Sequence, residues 1–190
     1  MVLLAASTPF GLELASIIIS ILAFGLGLLA VLPFIQLLWG RPRIELSFVT
    51  VPQQNVDGLR CEIINPPIEN KLLKRLKIRR STVEDAMATF SIYRGDTDQG
   101  VFLATPHIER YDGNASQRVN IPASGIPSWF GIAVVVDGVV KPGFDIHIGD
   151  VLSPGMYRVE VHILAAENEY KWEHRFIVQP HQPFVYWANL

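Results

Sequence analysis

One uncharged, apolar segment near the N-terminus constrains this chain more than any other feature. From Leu14 to Gly40 no residue carries a charge, and most side chains are those of Ile, Leu, Val or Phe. About 20 apolar residues are enough for a helix to cross the roughly 30 Å hydrocarbon core of a bilayer. We therefore expect one transmembrane helix over residues 14–40, an N-terminal tail over residues 1–13, and a single domain over residues 41–190.

A cleaved signal peptide is the main alternative for this segment. Residues 1–13 contain no Lys or Arg, whereas a signal peptide begins with a positively charged region. The apolar run is also longer than the roughly 7–15 residues of a signal-peptide core. Both observations favour an anchor that stays in the mature protein.

The charges that flank the segment predict its orientation. Glu13 is the only charged residue before it, and Arg41 and Arg43 follow it closely. Positively charged flanks stay on the cytoplasmic side of a membrane, so the C-terminal domain is predicted to be cytoplasmic. The chain has one cysteine, Cys61, which excludes an intramolecular disulfide and favours a reducing compartment.

Small residues recur four positions apart in the same segment. Ser16 and Ser20 form one such pair, and Ala23 and Gly27 form another. This spacing lets two membrane helices approach closely, which predicts a weak homodimer through the helix. The alternative is that small residues are simply common in membrane helices.

After Gly40 the apolar residues recur every second position, which is typical of strands. Ile44, Leu46 and Phe48 begin this pattern, and turn residues separate further segments of the same kind. The sequence predicts further strands over Leu59–Ile64, Ala86–Tyr93, His107–Tyr111, Arg118–Ile121, Phe130–Val136, Tyr157–Ile163 and Tyr170–Val178. The domain is therefore predicted to be all-β.

Turn residues indicate two hairpins. Asp137 and Gly138 lie between apolar residues, and an Asp-Gly pair suits a type I′ turn, whose two central residues have positive φ. Glu167-Asn168-Glu169 separates the last two predicted strands. We expect these two strands to pair with each other.

A short run before the penultimate strand points to a fold class. The residues Leu152-Ser153-Pro154-Gly155-Met156-Tyr157-Arg158-Val159 resemble the entry to the penultimate strand of immunoglobulin-like and fibronectin-like domains, where a tyrosine closes a corner. Together with the number of short strands, the resemblance implies an immunoglobulin-like antiparallel sandwich. It is a resemblance of fold alone and implies no activity.

One short helix is predicted between the strands. Asn65 can cap a helix, and Pro66 suits the first helical position. An apolar stripe at helical spacing follows, made of Ile68, Leu72, Leu73 and Leu76. We expect a helix over Asn65–Leu76 that packs on the sandwich through this stripe.

Six basic residues on and just after the predicted helix are the candidate functional surface: Lys71, Lys74, Arg75, Lys77, Arg79 and Arg80. On a cytoplasmic domain tied closely to the membrane, they could contact anionic lipid. The alternative is a solvated helix face whose cations pair with Glu69, Glu84 and Asp85. Nucleic acid is not an expected partner, because aromatic residues that would stack on bases are not interleaved with these cations.

No residues in the sequence have the spacing of a known catalytic, cofactor-binding or metal-binding motif. The five histidines never occur at metal-ligand spacing, and His174 shares a strand face with apolar residues. Ser124 lacks the Gly-x-Ser-x-Gly elbow, and Cys61 lies on the inward face of a predicted strand. We therefore expect no enzyme, no cofactor and no metal.

The leading hypothesis is a single-pass membrane protein whose cytoplasmic sandwich is a non-enzymatic interaction module for an unidentified protein partner. The second is an extracytoplasmic binding domain of the cell envelope, and the third is an enzyme with residues assembled from several strands. The aromatic C-terminal residues 183–187 are expected to dock on the sandwich.

Overall fold

The structure, a computed structural model, describes residues 9–52, 57–143, 151–166 and 168–188. A long N-terminal helix precedes a domain of β-strands with one short helix. The elements in chain order are α1 (Pro9–Trp39), β1 (Glu45–Pro52), β2 (Asp57–Ile64), α2 (Lys71–Arg75), β3 (Val83–Arg94), β4 (Gly100–Ala104), β5 (Ile108–Glu109), β6 (Ala115–Ser116), β7 (Val119–Ile121), β8 (Ser128–Val136), β9 (Val139–Pro142), β10 (Gly155–Ala165), β11 (Asn168–Val178) and β12 (Val185–Trp187).

Helix α1 is long and apolar enough to cross a membrane. Its stretch Leu14–Trp39 has 26 residues, which at about 1.5 Å per residue extend over about 39 Å. None of the most apolar window is buried against the rest of the protein, and the helix continues through Pro33. Residues 9–13, expected to belong to a tail, are helical, and residues 1–8 lie outside the described residues.

The strands form two sheets. In the first sheet the order is β1-β2-β8-β5-β6, with β9 also paired to β8. In the second sheet the order is β12-β11-β10-β3-β4, with β7 also paired to β3. Every one of these pairs is antiparallel. The prediction of an antiparallel, two-sheet β domain is confirmed.

The hydrophobic core lies between the two sheets, because alternate residues of each strand point to the same face. Phe90 of β3 and Val161 of β10 belong to the second sheet, and each is at most 1% exposed. Phe130 of β8 belongs to the first sheet, and its ring centroid lies 5.9 Å from that of Phe90. The period of two in the sequence is therefore the pattern that packs the sandwich.

Both predicted hairpins are present. β8 and β9 pair directly, with φ angles of +52° at Asp137 and +74° at Gly138, as a type I′ turn requires. β10 pairs with β11 along its whole length, and the last pair is Ala165 with Asn168. The second turn is therefore shorter than the predicted Glu167-Asn168-Glu169, since Asn168 already belongs to β11.

The C-terminal residues dock on the sandwich as expected. β12 pairs with β11 at the edge of the second sheet, and Val185 is buried in the core. The sequence predicts this docking but not the strand, and it does not predict β4 or β6. These strands are short, which gives the period-two pattern little length in which to appear.

The prediction of a helix over Asn65–Leu76 is wrong at its N-terminal end. Helix α2 covers Lys71–Arg75, and its N-cap is Asn70, whose side chain accepts hydrogen bonds from the backbone N–H groups of Leu72 and Leu73. The reason lies in the adjacent prolines, because a residue that precedes proline is disfavoured in the helical conformation. Pro67 thus acts against a helix that begins at Pro66.

Asn65 ties three separate segments together instead of capping a helix. It is fully buried, and its side-chain amide donates to the backbone oxygens of Ser81 at 2.9 Å and Ile121 at 3.1 Å. Its side-chain oxygen accepts from the backbone N–H of Arg43 at 3.3 Å. One buried side chain therefore joins the chain after α1, the chain after α2 and strand β7.

Replacing Asn65 with alanine should destabilise the domain strongly. The substitution leaves buried backbone groups without partners, and each such loss costs about 1–3 kcal/mol. We expect the Tm of the full chain in detergent to fall by at least about 6 °C, since three lost partners cost at least about 3 kcal/mol and about 2–4 °C corresponds to 1 kcal/mol in a chain of this size. Asn168→Ala, at an exposed position, is the control. Equal Tm values for the two variants would contradict the role assigned to Asn65.

Candidate functional site

The six basic residues singled out in the sequence form one surface around α2, called here the basic surface: Lys71, Lys74, Arg75, Lys77, Arg79 and Arg80. Five of them are exposed, and Arg80 is half-buried. Three lie in α2, and the other three lie in the segment that leads from α2 to β3. Four of the six, Lys74, Lys77, Arg79 and Arg80, line one cavity, and Lys71 and Arg75 do not line it.

The basic surface is not neutralised by carboxylates of the described residues. None of the ion pairs among the described residues includes any of the six cations. Asp85, one of the expected partners, pairs with Arg118 instead. Glu69 and Glu84 form no ion pair in the described part of the chain either. The expected pairing with Glu69, Glu84 and Asp85 is therefore absent from the described residues, whereas the exposure of five of the cations fits a solvated helix face.

The C-terminal end of α2 holds Lys77 in an unusual backbone conformation. The backbone N–H of Lys77 donates to Lys74 O, and that of Ile78 donates to Leu73 O, both at 3.0 Å. This pair of bonds is the Schellman motif, in which the residue at the position of Lys77 is usually glycine. Lys77 has φ +56°, a conformation that costs a residue with a side chain about 1–2 kcal/mol.

The segment after α2 is fastened to the last turns of α1. The Gln36 side chain donates from Nε2 to Arg79 O at 2.6 Å and accepts at Oε1 from Arg79 N at 3.3 Å. The backbone N–H of Ser81 donates to Gly40 O at 2.6 Å. A Cβ at Gly40 would lie 2.9 Å from Arg79 O, so glycine allows this close approach. We call this set of contacts the α1 junction.

An apolar side chain is exposed in the middle of the basic surface. Leu73 is buried and packs with Ile68 and Ile78 in a small cluster that Ile35 of α1 also contacts. Leu72, which is predicted to lie on the same packed stripe, is 64% exposed. This part of the prediction is wrong, because a helix of five residues is too short to turn all four apolar positions inward.

The other candidate residues have structural roles. Cys61 is buried in the core, and burial raises the pKa of its thiol far above its ordinary value. His174 is half-buried, with its ring stacked on Phe48 at 4.6 Å, and this burial lowers its pKa. Ser124 Oγ accepts a hydrogen bond from Ile126 N at 3.2 Å within a turn. Among the described residues no group of His, Cys, Asp and Glu is placed to hold a metal ion.

Three features of the site were not predicted from the sequence. Gln36 stands in the apolar segment as a polar residue that weakens insertion, although a polar side chain in such a segment also marks a contact. The conformation of Lys77 has no signal in the sequence, because the glycine that usually identifies a Schellman motif is absent. The close approach at Gly40 is also indistinguishable from an ordinary linker glycine.

Comparisons with known proteins do not assign the chain to a family. No protein family model matches the sequence, and no curated protein is similar to it.

Replacing Lys77 with glycine should leave the fold as stable or make it more stable. Glycine adopts positive φ freely, which removes a cost of about 1–2 kcal/mol, but it adds about 0.5–1 kcal/mol of unfolded-state entropy. We expect the Tm of the full chain in detergent to stay constant or to rise by up to about 6 °C. Lys74→Gly, inside α2, is the control and should lower it, because glycine costs about 1 kcal/mol in a helix. A Lys77→Gly variant that is destabilised as much as the control would contradict the assignment of strain.

Proposed function

We propose that this chain is a single-pass membrane protein whose β domain is a non-enzymatic interaction module, held against the cytoplasmic face of the membrane by the basic surface. The observation that carries the proposal is the α1 junction, which ties the backbone of Arg79 and Ser81, at the end of the basic surface, to the last turns of an apolar helix.

The depth of the basic surface follows from the position of Gln36 in α1. Gln36 lies three residues before Trp39, the last residue of the helix, which corresponds to about 5 Å along its axis. Tryptophan is enriched where membrane helices meet the headgroups. If α1 spans the bilayer, the backbone of Arg79 lies at the level of the headgroups, because it is hydrogen-bonded to Gln36.

The charge of the surface suits an anionic leaflet. Its exposed cations have no carboxylate partners among the described residues, so their charge is available to a ligand. The cytoplasmic leaflet carries anionic lipids, whose field decays within about 10 Å at physiological salt. Cations at headgroup depth lie inside this distance. Leu72 adds an apolar side chain that can enter the interface.

The charges on either side of α1 support a cytoplasmic domain. Glu13 precedes the apolar stretch, and Arg41 and Arg43 follow it. The positive-inside rule counts Lys and Arg within about 15–20 residues of a membrane helix. Arg41 and Arg43 therefore support the cytoplasmic orientation, and the six cations of the basic surface lie too far along the chain to add to it.

An immunoglobulin-like class for the sandwich is supported by strand order. If β1, β2, β5 and β8 are strands A, B, D and E, the first sheet has the order A-B-E-D, and β3, β10 and β11 supply strands C, F and G of the second. In such domains a tyrosine near the start of strand F bonds to the backbone a few residues upstream. Tyr157 Oη donates to Ser153 O at 2.7 Å. A scaffold of this class commonly carries binding loops, which fits a module for a membrane-proximal protein partner.

A fluorescent probe at position 72 tests contact with lipid. In a Leu72→Cys variant the only other thiol is that of Cys61, which is buried and unreactive because its pKa is raised. An environment-sensitive dye attached at position 72 should emit at shorter wavelength in nanodiscs rich in anionic phospholipid than in nanodiscs of zwitterionic phospholipid. High salt should reduce the difference, since it screens exposed charges.

Two controls separate this result from general effects of the lipid. The same dye on a Gln99→Cys variant lies in an exposed loop after β3, and β3 extends about 36 Å from its start near the α1 junction. Its emission should be the same in both lipids. Neutralising Lys71, Lys74, Arg75 and Lys77 to alanine should remove the shift at position 72. The proposal fails if the dye at position 72 emits identically in the two kinds of nanodisc.

A further inference from the structure

A groove lies beside α2 and is lined by part of the basic surface. Its cavity volume is about 430 Å³, within the range of about 300–1,000 Å³ that is usual for small-molecule sites. One wall is the segment around the C-terminal end of α2, and the other is the turn Pro122–Ser124. Its charged lining residues are Lys74, Lys77, Arg79 and Arg80. We call this cavity the basic groove.

The walls of the basic groove are fixed by packing and hydrogen bonds. On one side, Ile68 and Ile78 belong to the buried cluster that also contains Leu73. On the other side, the backbone N–H of Gly125 donates to Asn65 O at 3.2 Å. Gly125 has φ +73°, and a Cβ there would lie 3.2 Å from Cδ of Pro67. The turn and the α2 segment are therefore held in position before a ligand arrives.

Two features of the groove are unfavourable for stability alone. Lys77 occupies a backbone position where glycine would be less strained, with φ +56°. Arg80 has a buried Nε without a hydrogen-bond partner in the described structure, but so do Arg60 and Arg158 outside the groove, so the strain at Lys77 is the feature specific to the groove. Backbone strain gathers at binding sites, where it can be part of the function.

The charge of the groove selects the class of ligand. Four of its lining residues are cationic, and none of its described lining residues is acidic. A phosphodiester carries one negative charge, whereas a phosphomonoester carries about 1.5 to 2 at pH 7 and offers three strong acceptor oxygens. The higher charge matches four cations better, and the Ser124 hydroxyl can donate a further hydrogen bond. Arginine and lysine are the usual partners of phosphate.

We propose that the basic groove binds the phosphomonoester headgroup of a membrane lipid. The inference rests on the proposed function, because the α1 junction is what places the groove at headgroup depth. Arg79, which lines the groove, is bonded through its backbone to Gln36 of α1. In this proposal the headgroup enters the groove from the bilayer surface and its acyl chains remain in the bilayer beside α1.

Binding measured on the full chain in non-ionic detergent tests the groove. The ligands are dioctanoyl phosphatidic acid, a phosphomonoester; dioctanoyl phosphatidylglycerol, a phosphodiester; and glycerol 3-phosphate, which has no acyl chains. We expect phosphatidic acid to bind at least about tenfold more tightly than either of the others. Its affinity should rise from about pH 5 to pH 8, because the second phosphate pKa is near 6, while that of phosphatidylglycerol should not.

Two double variants with the same loss of charge locate the site. Lys74 and Lys77 line the groove, whereas Lys71 and Arg75 belong to the basic surface and do not. Replacing the first pair with alanine should weaken binding of phosphatidic acid by about tenfold or more, and replacing the second pair should weaken it by less than about threefold. Ser124→Ala changes no charge. It should weaken the binding of phosphatidic acid without weakening the binding of phosphatidylglycerol. The Tm of each variant shows that it folds.

The outcomes distinguish this inference from the proposed function. One contrary result is that the two double variants lose the same affinity for phosphatidic acid, and another is that the protein binds the two lipids equally well. Either result would overturn binding in the groove and would leave a general attraction to anionic lipid intact. Glycerol 3-phosphate that binds as tightly as phosphatidic acid would overturn the lipid as the source of the phosphate. The absence of binding to both anionic lipids would overturn the groove, and unchanged dye emission at position 72 would overturn the proposed function as well.

Discussion

The arrangement of this protein depends on the contact between α1 and the segment that follows α2. The amide of Gln36 satisfies both backbone polar groups of Arg79, and Gly40 accepts a hydrogen bond from Ser81. These bonds lie where the apolar helix ends, so they fix the height of the domain relative to the helix. Together with the bond from Arg43 to Asn65 and the contact of Ile35 with the cluster around Leu73, they set the orientation of the basic surface relative to α1.

The sandwich serves this junction as a rigid support. Asn65 joins the chain on both sides of α2 to strand β7 through buried hydrogen bonds, and the small cluster around Leu73 holds α2 itself. A helix of five residues has little stability of its own, because a first helical turn is costly to form. The basic surface is therefore ordered by its surroundings, which is how cations without carboxylate partners among the described residues are kept close together.

The sequence predicted the parts of this structure that depend on regular patterns. The apolar segment, the period of two in β3, β10 and β11, and the Asp137-Gly138 turn each have a local physical signature. The start of α2 was misplaced because the capping signal of Asn65 and the adjacent prolines compete, and only tertiary hydrogen bonds show which prevails. A dimer through the small residues of α1, a cytoplasmic domain and a protein partner stay predictions. The six cations were identified from composition, but their groove needs the turn Pro122–Ser124, which is distant in sequence.

The central claim, that the domain and its basic surface lie on the cytoplasmic side, is tested most directly by labelling in intact cells. Gln99→Cys places a thiol in an exposed loop, and buried Cys61 gives little background. A membrane-impermeant maleimide should label this variant only after the membrane is opened. Labelling in intact cells would contradict the account, because the domain would then be outside, where the charges of Arg41 and Arg43 and an anionic inner leaflet could not explain its position.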